Sequence, residues 1–97
     1  MATFVVLVKW TDKSLSAFKD APEAAEEFKK AVADLGAQIK DWYVLMGQYD
    51  EMCIIQAPNA ETVAKIILPF REKYGGQTET IQAFSEAEAM ELFSGMK

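Results

Sequence analysis

Residues 41–57, DWYVLMGQYDEMCIIQA, decide the fold. Two apolar, β-branched and aromatic runs flank a short polar break at Gly47-Gln48-Tyr49-Asp50, the pattern of an antiparallel hairpin. The first run begins near Ala37 and ends at Met46. Strict alternation would put Ile39, Asp41, Tyr43 and Leu45 on one face and Lys40, Trp42, Val44 and Met46 on the other. The second run, Glu51 to Ala57, is the returning strand. Gly47 is expected to relieve the steric cost of a positive φ in the connection.

Upstream, Thr3 to Trp10 (TFVVLVKW) is a nearly continuous apolar run of strand length, suited to a central strand. Thr11 to Ala21 reads as a crossover loop, with at most a short helical turn, anchored by Leu15 and Phe18. Pro22 falls where a helix begins, because its missing N–H costs little in the first turn. Ala25, Phe28, Val32 and Leu35 form an apolar stripe, and Gly36 ends it. Downstream, Asn59 can cap a helix carrying Val63, Ile66, Ile67 and Phe70. Pro69 is expected to kink it or end its regular part early, and Gly75-Gly76 closes it. Gln77 to Phe84 alternates weakly, as a wet edge strand would. Ser85 and Glu88 then have capping-box spacing before a short terminal helix that stops by Gly95.

The order is therefore β-α-β-β-α-β with a C-terminal helix: one α+β domain over residues 1–97 with ferredoxin-like connectivity. Two helices cover one sheet face, yet the strands carry apolar groups on both. The expectation is that the leftover face pairs with a second copy, giving a homodimer or an assembly of dimers.

Composition limits the chemistry. Ten basic against 15 acidic residues give a net charge of −5, which opposes binding to nucleic acid or anionic lipid. There is no histidine, so the usual near-neutral general base and the commonest zinc or haem ligand are missing. The one cysteine, Cys53, sits in an apolar strand and reads as a small buried hydrophobe. No catalytic residue, metal ligand or cofactor is assigned. The opening segment lacks a basic region and a cleavage site, so the expected location is the cytoplasm.

Five residues remain as a candidate pocket: Lys9, Trp42, Tyr43, Tyr49 and Asp50. Lys9 stands in an apolar strand, where a lysine reaches the rim or pairs with an acid, with Asp41 as a candidate partner. Trp42 and Tyr43 must point to opposite faces, one toward the core and the other toward an interface or cavity. Asp50 can fix the hairpin through backbone N–H groups, or act as an acceptor at a pocket mouth. Tyr49 can pack at the sheet end or donate from the same mouth.

The GQYD motif resembles the signature of the GYD domain family, which is carried here by Gly47, Tyr49 and Asp50. The likeness extends through FVVLVKWT at residues 4–11, DWYVLMGQYD at 41–50, the Ala57-Pro58-Asn59 junction and TETIQAF at 78–84. The resemblance implies a dimeric α+β barrel built from ferredoxin-like subunits, and it carries no established biochemical role. Two functional readings follow. One is a non-catalytic module that assembles, or binds a small apolar or aromatic molecule between sheet and helices. The other is a cofactor-independent, monooxygenase-like enzyme acting on an aromatic or quinol-like compound, with Lys9, Tyr43, Tyr49 or Asp50 placing the substrate.

Overall fold

The computed structural model describes residues 1–96. Its elements run β1 (Ala2–Lys9), α1 (Asp12–Ser16), a 3₁₀ turn (Phe18–Asp20), α2 (Ala21–Asp34), β2 (Gln38–Val44), β3 (Glu51–Ala57), α3 (Ala60–Tyr74), β4 (Gln77–Ala83) and α4 (Glu86–Ser94). The four strands form one antiparallel sheet in the order β2-β3-β1-β4. This is the expected ferredoxin-like arrangement with its C-terminal helix. The barrel is not present: β2 and β4 are each bonded on one side only, and the sheet is open. Four strands with two free edges have no hydrogen-bond ladder left to close them.

Register assigns the faces. Phe4 pairs with Ile55 and Val6 with Cys53, and all four are buried under α2 and α3. Val32 from α2, and Val63, Ile66 and Ile67 from α3, complete this core. Each such aliphatic side chain contributes roughly 1.5–3 kcal/mol by leaving water. Burial raises the pKa of Cys53 to about 12, so its thiol stays protonated and acts as an apolar group.

Several local expectations change. The buried side of α2 runs through Phe28 and Val32 but takes in Ala24 and Ala31, while Ala25 and Leu35 face water. In the crossover, Leu15 is exposed and Ser14 is buried instead. Phe18 is held edge-on against Trp10, with ring centroids 4.8 Å apart. Pro69 lies inside α3, which continues to Tyr74. A register shift between Ile39 and Asp41 breaks the alternation in β2. One extra residue turns a strand over, so Ile39 shares the helix side with Trp42 and Val44. Asp41 and Tyr43 take the open side.

The N-cap of α1 and the exit of α3 are joined. Thr11 Oγ1 accepts from Ser14 N and, at 3.1 Å, from Gly76 N. Gly75, at φ 77° and ψ −169°, occupies a region open essentially to glycine alone. A Cβ there would lie 2.8 Å from both Thr11 Oγ1 and Lys13 Cβ. Gly75→Ala should therefore cost about 3 kcal/mol, combining strain and overpacking. Gly36 also has a positive φ, but nothing lies within 4 Å of its Cβ position, so Gly36→Ala should cost only about 1 kcal/mol. Equal midpoints for the two variants in urea unfolding would refute this account of the junction.

Candidate functional site

The end of β1, the start of β4 and the β2–β3 connection converge at one end of the sheet. Lys9 pairs with Gln77 and Leu7 with Glu79, which places Lys9, Glu79 and Gln77 on the open face. The connection, residues 45–50, folds over this end. Tyr49 Oη donates to Glu79 Oε1 at 2.7 Å, so the loop reaches the far edge strand. Lys9, Tyr49, Gln77, Thr78 and Glu79 line a shallow hollow of about 250 Å³.

Asp50 has a main-chain role. The Trp10 N–H donates to Asp50 Oδ2 at 2.8 Å. The Asp50 N–H donates to the Val8 carbonyl at 2.8 Å, and the Asp50 carbonyl accepts from Leu45 N at 2.7 Å. One residue thereby closes the connection on itself and ties it to the end of β1. Next to it, Trp10 Nε1 donates to Glu51 Oε1 at 2.8 Å. Gly47, by contrast, does not have a positive φ, and nothing lies within 4 Å of its Cβ position. The strain expected at Gly47 is found at Gly36, Gly75 and Gly76.

The five candidate residues do not form one pocket. Lys9 and Tyr49 share the hollow, and Asp50 lies beside it, bound to the backbone. Trp42 and Tyr43 are on β2, with β3 between that strand and Lys9. The same intervening strand separates Lys9 from Asp41, which instead accepts from Tyr43 Oη at 3.5 Å. Trp42 pairs with Cys53 on the helix side but is 55% exposed, so it is not a core residue. Tyr43 pairs with Met52 on the open face.

Sequence reasoning missed Glu79, because its place beside Tyr49 follows only from the β1–β4 register. A groove of about 290 Å³ lies between α3 and β4, lined by Phe4, Ala60, Val63, Ala64, Thr80 and Gln82. It has the sheet-and-helix location anticipated for a small molecule, but none of the five candidates lines it. Where α2 meets α3, Phe28, Phe70 and Tyr74 form a half-buried aromatic cluster with ring centroids 5.1 and 4.7 Å apart. Such a cluster offers a surface on which a flat small molecule can stack. The helical spacing of Phe70 and Tyr74 was the signal for it. Glu27 and Lys73 bridge the same two helices at 2.6 Å.

Glu79 holds the Tyr49 phenol in its neutral form and raises its pKa above the ordinary value. The associated stability is present below the unfolded phenol's pKa, near 10, and is lost as pH rises through the folded value. Glu79→Gln should shift one tyrosine of the phenolate absorbance titration to lower pH; an unchanged curve would mean that the pair does not form. Asp50→Ala should cost about 1–2 kcal/mol by leaving the Trp10 N–H without its acceptor, and Asp50→Asn less. Urea unfolding followed by tryptophan fluorescence measures both.

Known proteins share this framework. A Thermus thermophilus protein described as binding glutamine synthetase and cystathionine beta-lyase is 29% identical over 89 residues, spanning 91% of this chain and 94% of that protein. A crystal structure of a protein from the same species superposes with a TM-score of 0.53 at 22% identity, covering 88% of this chain and 95% of that one. A Neisseria meningitidis transcriptional regulator in complex with L-Met gives a TM-score of 0.54 at 14% identity over 88% of this chain. The present chain spans only 51% of that regulator. At these identities the two structures establish the fold alone. The GYD domain model matches residues 4–93, and the chain belongs to the GYD domain family.

Proposed function

We propose that this protein is a non-catalytic binding module that associates with a second copy through its open sheet face and receives a small molecule at the rim of that face. The observation that carries the reading is the face itself. Register places Val5, Leu7, Met52, Ile54 and Ile81 together on the side away from the helices. Ile81 is 44% exposed and none of the five is buried. A contiguous apolar surface of this kind marks an interaction site.

The hollow at its margin supplies polar contacts. Among the described residues Lys9 makes no ion pair, so its ammonium is available to a ligand carboxylate. Tyr49 and Glu79 line the same hollow, and Leu7, paired with Glu79, lies next to it on the open face. A ligand with an acid group and an apolar or aromatic body matches that order of groups. The Thermus relative described as binding two enzymes supports a protein-binding role over an enzymatic one, and the regulator crystallised with L-Met supports small-molecule binding on this fold. Asp50, which the enzymatic reading would use, is engaged by the backbone on both sides.

Sedimentation equilibrium tests the association. The native chain should be dimeric at micromolar concentration, and Leu7→Glu or Ile54→Lys should give folded monomers. A native chain that remains monomeric at 100-fold higher concentration would remove the assembly role. Ligand-detected NMR with amino acids and aromatic carboxylates tests the rim: Lys9→Met should abolish binding of any hit, and equal binding by this variant would place the site elsewhere.

A further inference from the structure

Helix α4 is held where its own chain does not cover it. Only Phe84 and Ser85 separate it from β4. Ser85 N donates to Glu88 Oε1 at 2.8 Å, and Glu88 N donates to Ser85 Oγ at 3.1 Å. This reciprocal box satisfies two backbone donors at the start of the helix. Along it, Ala89, Met90, Leu92 and Phe93 fall within one arc, which Glu86 enters only at the first turn, with Glu88 and Glu91 outside it. Met90, Leu92 and Phe93 are 54%, 52% and 58% exposed, and no residue of α4 is buried.

The dimensions of the molecule reflect this. Its radius of gyration is 14.7 Å and its longest extent 52 Å, whereas a compact chain of this length has a radius near 12.5 Å. Its accessible surface is 6695 Å². A folded monomer of this mass exposes about 5,500 Å². The surplus, on the order of 1,200 Å², exceeds the roughly 800 Å² that each partner gives to a standard interface.

We infer that α4 is an exchanged arm: the Met90, Leu92 and Phe93 side of one copy seats on the sheet of a second copy, and the second copy returns the same contact. One chain carries two uncovered apolar surfaces, α4 and the open sheet face, that do not bury each other. A two-fold axis covers both at once with a single self-complementary interface. Charge agrees with this orientation past the first turn, because Glu88 and Glu91 remain on the side turned to water and Glu86 stands at the helix start. The inference rests on the face-to-face association proposed above and adds the segment that completes it.

A photo-crosslinking residue placed at Leu92 in full-length protein, with light- and heavy-isotope chains mixed, tests the arm directly. Crosslinked peptides should join α4 of one isotope to sheet strands of the other. Met90→Glu with Phe93→Glu should raise the dimer dissociation constant at least tenfold while leaving the circular dichroism of the monomer unchanged. If the α4 variant dimerises normally while Ile54→Lys does not, the arm is refuted and the sheet association stands. Crosslinks confined to one isotope in a proven dimer would also refute the arm. A native chain that is monomeric throughout would overturn both proposals.

Discussion

Two helices can shield one face of a four-stranded sheet and no more, and most of this molecule follows from that limit. Phe4, Val6, Cys53 and Ile55 find cover beneath α2 and α3 and form the core with Val32, Val63 and Ile66. Their neighbours one position along each strand point the other way with nothing of their own chain above them. The alternation that builds the core also creates the apolar open face, since a strand cannot present successive side chains to the same side. Helix α4, which could have served as a cover, has no buried residue.

The family signature acts first through the backbone. Asp50 links Trp10, Val8 and Leu45, and Tyr49 reaches across to Glu79. The six-residue connection is thereby held over the end of the central strand, beside the Lys9 ammonium. Fold and hollow share the same residues, so the loop that stabilises the hairpin also shapes the rim of the open face.

Most of the architecture was legible in the sequence because strong local signals agree with the tertiary outcome. Asn59 accepts from Thr62 N, and the Ser85–Glu88 box forms as its spacing indicates. Where the reading departed from the structure, long-range geometry was responsible. The shift at Lys40 depends on how β2 lies against β3, so alternation alone put Ile39 on the wrong side. Pro69 continues within α3 because the buried Val63, Ile66 and Ile67 anchor that helix against the sheet. Barrel closure was inferred from likeness, and strand count with free edges overrules it. At the site, Lys9 and Tyr49 were identifiable from residue type and setting, but Glu79 and the isolation of Trp42 required the register.

The two borders of the sheet shape how copies can add to one another. On β2 the register shift at Lys40 and the charge on Asp41 interrupt the regular row of backbone groups. On β4 the sequence QTETIQA presents polar side chains along most of its length. The irregularity on one border and the polar side chains on the other both interrupt a template for strand-by-strand growth. Association of two copies through the open face, as proposed, would thus close on itself as a finite particle and would not extend by side-by-side stacking of strands.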